Sequence, residues 1–302
     1  PSCRRLMEKA VTRWCRGAHR YNAGAMSPSS AVDGLSSSAV VAPAACDDAL
    51  VTLRDVSFGY TRERQILSGI NLTVPRGKLV AVMGGSGCGK TTIIKLMVGL
   101  HEPDQGDIIY DGQNFPKLST KGQQEIRKQI GMTFQGGALF DSQTLEENVM
   151  FPLDMFTDLS RHEKMDRVNF CLDRVQLTGK NKLYPAELSG GMKKRAALAR
   201  AIANNPRYLF CDEPNSGLDP KTAIVIDKLI HSITQEFDIT TIIITHDMNS
   251  VIEIGENIMF VHKGQNWWTG DRTQILNTNN RELFDFVFAS EYMKNLFMAG
   301  KK

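Results

Sequence analysis

The stretch "KLVAVMGGSGCGKTT", residues 78–92, constrains the fold of this chain more than any other. Leu79–Met83 is a continuous apolar run of the length expected for a strand buried on both faces. Glycines follow at once, and "TTIIKLMVGL" then has helical texture as far as Gly99. Within the loop, Gly84, Gly89, Lys90 and Thr91 fit the spacing G-x-x-x-x-G-K-[ST]. A strand, a glycine loop and a helix in that order make a phosphate cradle. Gly84, Gly85, Ser86, Gly87, Cys88 and Gly89 turn successive backbone N–H groups inward, and the helix start at Thr92 lends its positive end. Lys90 adds a point charge at the β/γ-phosphates, and Thr91 offers its hydroxyl to Mg²⁺. A thiol among inward N–H groups at a helix N-terminus is expected to ionise easily, so Cys88 is read as a low-pKa cysteine that nucleotide would protect.

The rest of the chain repeats the strand–helix alternation. "LVTLRDVSF" and "INLTV" read as strands, "RYLFCDE" and "TTIIITHD" as buried strands, and "KTAIVIDKLIHSITQEF" as a helix. Such alternation argues an α/β domain with a mostly parallel sheet covered on both faces. Residues 137–205 carry no strong strand pattern and read as a helical insertion. Trp267 and Trp268 in "NWWTG" read as hairpin core and edge. In "RELFDFVFASEYMKNLF" the apolar residues 283, 284, 287, 288, 292 and 296 form a helical stripe, which either docks on its own domain or caps a partner.

Composition excludes more than it assigns. Hydrophobic content of 42% and charged content of 23% are those of a folded globular chain. Residues 1–46 hold six Lys/Arg against two acids, so the excess positive charge lies in this stretch, and the remaining 30 basic and 31 acidic residues leave the body near neutral, which argues against a nucleic-acid partner. That stretch has no periodic apolar pattern. It reads as a disordered tail, as an organelle-directing transit segment, or as sequence upstream of a true start at Met26. The six cysteines (3, 15, 46, 88, 171 and 211) form no C-x-x-C pair, which points to free thiols in a reducing compartment. No apolar run reaches the ~18–20 residues of a membrane span, so any membrane role needs a partner.

Two further motifs carry chemistry. In "YLFCDE", Asp212 ends a buried strand where a carboxylate can hold Mg²⁺, and Glu213 beside it can orient or deprotonate an attacking water. In "LSGGMKKRAALARAI", Ser189, Gly190 and Gly191 open a helix and form a second glycine-rich anion cradle.

Taken in order, the phosphate loop, "LSGGM", "CDEP", "SGLD" and "ITHD" resemble the ATP-binding-cassette (ABC) family over residues 50 to about 270. The resemblance implies a P-loop NTPase fold with a mostly parallel core sheet, an antiparallel β-subdomain and a helical subdomain at about 137–205. The cassette would span 47–270 and a C-terminal helical extension 271–302. It implies ATP and Mg²⁺ as cofactors, with Tyr60 (or its neighbour Phe58) stacking on adenine, Gln135 touching Mg²⁺ and water, and His246 contacting the γ-phosphate. It also explains the two cradles: in a head-to-tail dimer, the phosphate loop of one copy and Ser189–Gly191 of the other close on one ATP, with Asp219 coupling the two sites. Met192 and Asn215 depart from the common Gln and Thr or Phe, without removing a phosphate contact. Met192 with "GALF", "ENV" and "FPL" at 137–153 is similar to the Mla/Mce-type phospholipid transport branch. Implied partners are a second copy, integral membrane permease subunits, and lipid-binding and small regulatory subunits, at the cytoplasmic face of the inner membrane. Other transported solutes, or a non-transport ABC ATPase, are the alternatives.

Overall fold

Five parallel strands rich in buried apolar residues build the core of the domain, because only a sheet covered on both faces can use such runs. A computed structural model describes residues 49–288 apart from 62, 276, 277 and 279. The expectations for residues 1–46, and for the stripe positions 292 and 296, lie outside the described residues. The strands are β1 (Ala49–Thr61), β2 (Arg64–Pro75), β3 (Leu79–Met83), β4 (Gln105–Tyr110), β5 (Gln113–Asn114), β6 (Ile130–Thr133), β7 (Tyr208–Asp212), β8 (Thr240–Thr245), β9 (Asn257–His262) and β10 (Gln265–Gly270). The helices are α1 (Lys90–Met97), α2 (Thr120–Lys128), α3 (Leu145–Phe156), α4 (Arg161–Arg174), α5 (Gly190–Ile202), α6 (Pro220–Glu236), α7 (Met248–Ile254), α8 (Arg272–Ile275) and α9 (Arg281–Val287).

The core sheet has the order β10-β9-β3-β8-β7-β6, parallel throughout except for the hairpin strand β10. A second, antiparallel sheet has the order β2-β1-β4-β5. The α/β class and the two-sheet architecture expected from the sequence are therefore present.

Side-chain alternation along the parallel strands separates the packing layers. Val80, Val82, Phe210, Ile242 and Ile244 face α1 and the antiparallel sheet. Leu79, Leu209, Cys211 and Ile243 face the other way, onto α3, α4, α5 and α6. At the β9 end, Ala81, Met83, Ile258 and Phe260 pack with Ile275, Leu283, Val287 and Phe288, so α9 lies on its own domain, and Trp267 and Trp268 of the β9–β10 hairpin border the same cluster.

Register fixes where chemistry can occur. Met83 pairs with Thr245, Ile244 with Asp212, and Cys211 with Thr133. The segments that leave these four strands carry Gly84, His246, Glu213 and Gln135. All four therefore emerge at one carboxyl edge of the sheet, where open α/β sheets bind ligands.

The helices between β6 and β7 start on well-made caps. Thr144–Glu147 and Ser160–Glu163 form reciprocal capping boxes for α3 and α4. From α3, buried Asn148 accepts from the Phe140 backbone N–H at 2.8 Å and donates to the Phe140 carbonyl at 3.1 Å. Arg200 of α5 donates to the carbonyls of Ala138 and Gly137 at 2.8 and 3.1 Å. The turn that follows Gln135 is thus held from both sides.

Candidate active site

The loop 84–89 closes onto α1 through Gly89, whose φ of +104° disfavours an L side chain and whose added Cβ would lie 2.5 Å from Leu67 Cδ2. Lys90 is buried, and its Nζ donates to the Gly84 and Gly85 carbonyls at 2.9 Å each. The ammonium therefore lies across the loop that it would share with a phosphate. Gly85 is half-buried, while Ser86 and Gly87 are exposed at the open side of the loop.

Cys88 corrects an expectation. Its side chain packs on the apolar cluster beneath the loop, and this burial pushes its thiol pKa up. Lys90 and backbone N–H groups pull the other way without overcoming the desolvation. At Cys88 burial against the apolar cluster therefore outweighs the backbone N–H groups and the Lys90 charge, which is the opposite of the low pKa expected from its place at a helix start. Among the described residues Cys88, Cys171 and Cys211 are all unpaired.

Next to the loop, Thr91 donates its hydroxyl to Asp212 Oδ1 at 3.3 Å. Burial holds the Asp212 carboxyl above the ordinary carboxylate range, the Thr91 hydrogen bond opposes this, and the neighbouring Glu213 charge adds to it. The Lys90 and Lys95 charges also oppose the effect of burial, and a buried carboxylate facing a hydroxyl suits a hard cation with oxygen ligands.

Glu213 has a left-handed backbone, φ +47°, at the turn where β7 ends. Its two carboxylate oxygens have different partners. Gln135 Nε2 donates to Oε2 at 2.8 Å, and His246 Nδ1 meets Oε1 at 3.1 Å. Gln135 Nε2 also reaches Ser216 Oγ at 3.4 Å. The three predicted residues Gln135, Glu213 and His246 are thus one hydrogen-bonded group, with a carboxylate held to accept a proton at the open edge of the sheet.

Of the two aromatic candidates in "FGY", Phe58 is 7% exposed and Tyr60 50% exposed. Both have the parity of the buried Val56, but register shifts at Phe58/Gly59 and Gly59/Thr61 turn Tyr60 outward. Tyr60 lies edge-on to Phe58 and to His101, with ring centroids 5.1 and 5.4 Å apart, and its hydroxyl is 3.4 Å from Thr92 Oγ1. Tyr60 is the ring available to a base.

The second cradle is separate. Ser189 caps α5, its Oγ accepting from the Met192 N–H at 3.3 Å, and Ser189 and Gly190 are exposed. Gly191 is buried because α6 passes close: an added Cβ would lie 2.6 Å from Thr222 Cγ2. Asp219 caps α6, accepting from the Thr222 N–H and hydroxyl at 3.0 and 2.6 Å, and these bonds lower its pKa. None of these contacts joins Ser189–Gly191 to the loop at 84–92 of the same chain.

Sequence reasoning missed Lys194. This residue lies on α5 a little over one turn beyond Gly190, and its ammonium donates to the Gln135 carbonyl and, at 3.4 Å, to the Glu213 carbonyl. Burial lowers its pKa while the Glu213 charge raises it. Its only sequence signal is a basic run after the glycines, which looks like an ordinary solvated helix face.

The sequence pattern that defines the ABC transporter family matches residues 67–216. The chain is 45% identical over 209 residues to the intermembrane phospholipid transport system ATP-binding protein MlaF of Escherichia coli, covering 69% of this chain and 77% of that protein. It is 36% identical over 260 residues to MlaF of Haemophilus influenzae, covering 82% and 98%. Among solved structures, the dimeric bacterial ABC transporter cassette MJ0796 matches with a TM-score of 0.68 at 31% identity, covering 74% of this chain and 98% of that one. A dimeric post-hydrolysis state of the same cassette, bound to ADP and Pi, matches with a TM-score of 0.67, again at 31% identity and with coverage of 74% and 98%.

Proposed function

This chain belongs to the ABC transporter family and is an ATPase cassette, and on that premise we propose that two copies pack head to tail to drive integral membrane permease subunits that move phospholipid between membranes. The observation that carries the ATPase reading is the Gln135–Glu213–His246 group standing at the same sheet edge as Lys90 and Thr91. The lipid reading rests on the similarity to MlaF. No helix among the described residues is long and apolar enough to cross a membrane, so the lipid path would belong to the permease partners.

In this reading the loop N–H groups of 84–89 and Lys90 bind the phosphates of ATP, and Tyr60 stacks on the base. Thr91, Asp212 and Gln135 would hold Mg²⁺, which would supply charge neutralisation for the transferring phosphoryl group. Glu213 takes the proton of the attacking water, Gln135 fixes its carboxylate, and His246 contacts the γ-phosphate. Lys194 holds the Gln135 and Glu213 backbones together. Ser189, Gly190 and Gly191 of the second copy close the far side of the same ATP, and Asp219 couples the two sites. Lipid-binding and small regulatory subunits would complete the assembly.

Purification of the full chain from native membranes, with mass spectrometry of bound proteins and lipids, tests the transport reading. Permease subunits and phospholipid are expected. A bound polar solute in place of phospholipid would overturn the lipid assignment, and purification with no membrane protein would overturn the transport role.

A further inference from the structure

Two residues beyond Glu213, Asn215 is 9% exposed, and its Nδ2 donates to Asp227 Oδ1 of α6 at 2.6 Å and to Ser250 Oγ of α7 at 3.0 Å. Asp227 and Ser250 are each only 2% exposed, and the Ser250 hydroxyl lies near enough to the Asp227 carboxylate to oppose the effect of burial on its pKa. The triangle joins three chain segments. Asn215 lies in the turn that carries Glu213, Ser250 lies on the short helix that begins two residues after His246, and Asp227 lies on α6, which anchors both. Asn215 Oδ1 is buried without a partner.

This arrangement is costly for packing alone. A buried acid needs a cation or several donors. The charged groups that act on Asp227 are Asp247 and Glu253, both of the same sign, and the Glu253 charge is shared with Lys228 at 3.3 Å. Burial pushes the Asp227 pKa up to about 6. α6 also buries Ala223, Ile226, Leu229, Ile230, Ile233 and Thr234, so Asp227 is the one ionisable group among its buried residues. What the carboxylate adds is a fixed link between the two walls of the site. The β7–β8 pairing ends with the Glu213 N–H donating to the Ile244 carbonyl at 2.9 Å, and beyond it the Glu213 and His246 side chains meet at 3.1 Å, with His246 largely exposed. A surface contact of that kind is weak unless the segments that carry it past the strand ends are held.

We propose that Asn215, Asp227 and Ser250 form a buried brace that sets the spacing of Glu213 and His246, which makes Asp227 a positioning residue for ATP hydrolysis. It acts through Glu213 and His246 and touches no nucleotide. The brace rests on the ATPase reading given above.

The test is steady-state hydrolysis of Mg-ATP by the full chain, with kcat and KM separated and the melting temperature recorded for each variant. Asp227→Ala removes the α6 acceptor of Asn215 and should lower kcat at least ~10-fold, the scale on which small misplacements cost rate, while KM for ATP stays put. Asp227→Asn keeps a carbonyl acceptor and should recover kcat to within about threefold of wild type. Ser250→Ala removes only the α7 end and should lower kcat without changing KM or melting, which decides the matter if Asp227→Ala does not fold. Wild-type kcat in Ser250→Ala, or a melting-temperature loss in Asp227→Ala with unchanged kcat, would overturn the brace and leave the ATPase reading standing. Absence of hydrolysis in the wild-type chain would instead sink that reading itself.

Discussion

Replacing Glu213 by Gln changes two things that the geometry separates. The amide cannot take a proton from water, which removes a general base whose help is typically worth about 10²- to 10⁴-fold, or ~3–5 kcal/mol of barrier. It also puts an NH₂ group where one of two oxygens stood, facing either the Gln135 Nε2 donor at 2.8 Å or His246 Nδ1 at 3.1 Å. The amide oxygen can keep the Gln135 donor while its NH₂ faces His246 Nδ1, which must then accept, so the substitution fixes the histidine tautomer at a cost of at most about 1 kcal/mol. Lys90, Thr91 and Tyr60 make no contact with the Glu213 side chain in the hydrogen bonds of this site, so ATP affinity should be unchanged. The expectation is a kcat lowered by about two to four orders of magnitude with normal equilibrium binding of ATP, and a dimer that accumulates with ATP on a sizing column. Phosphate release and filter binding on the same preparation measure both. Turnover within tenfold of wild type would refute the assignment of Glu213 as base, and a matching loss of ATP binding would refute the separation of roles.

Gly191→Ala should destabilise the fold by ~1–3 kcal/mol, because its Cβ would meet Thr222 Cγ2 at 2.6 Å where α5 crosses α6; chemical denaturation reads this directly, and unchanged stability would mean the helices are not packed so closely. Lys194→Met should lower kcat by about tenfold with unchanged ATP affinity, since it frees the Gln135 and Glu213 carbonyls from their shared donor; unchanged kcat removes Lys194 from the site. Cys88 should alkylate more slowly at pH 7 than an exposed thiol, and faster as pH rises, because burial raises its pKa; peptide mass analysis measures it, and rapid labelling at pH 7 would contradict the packing beneath the loop. The folded-state pKa of Asp227, about 6, lies above its ordinary value of 3.8, so its contribution to stability is full below pH 3.8 and lost as pH rises through about 6. Melting curves of wild type against Asp227→Asn across that window should show the difference, and a flat difference would contradict the burial of an ionisable acid there.

The parts of the site legible in the sequence are contiguous. Lys90, Asp212, Glu213 and Ser189 each sit in a short run whose residue order carries its own strand, turn or helix signal. The brace was not legible, because Asn215, Asp227 and Ser250 are brought together by three segments. Asp227 also interrupts an apolar helical stripe at a position that looks merely polar. At Cys88 the helix-end electrostatics can be read from the sequence, whereas the inward turn of the side chain cannot. Tyr60 and Phe58 could not be separated by alternation, since the irregular register of β1 defeats the period of two. The short strands β4 and β6, with six and four residues, carry little periodic signal in the sequence.

The claim that one ATP is enclosed by two chains is tested most directly by mixing Lys90→Ala and Ser189→Arg subunits with an ATP analogue that carries a photo-crosslinker on the γ-phosphate. Only one intact site can form, between the phosphate loop of the Ser189→Arg chain and the Ser189–Gly191 turn of the Lys90→Ala chain. The Lys90→Ala chain should be labelled, and only in the mixture. Labelling confined to the chain that owns the intact phosphate loop would mean that Ser189–Gly191 does not close on the partner's ATP, and the shared site would be wrong.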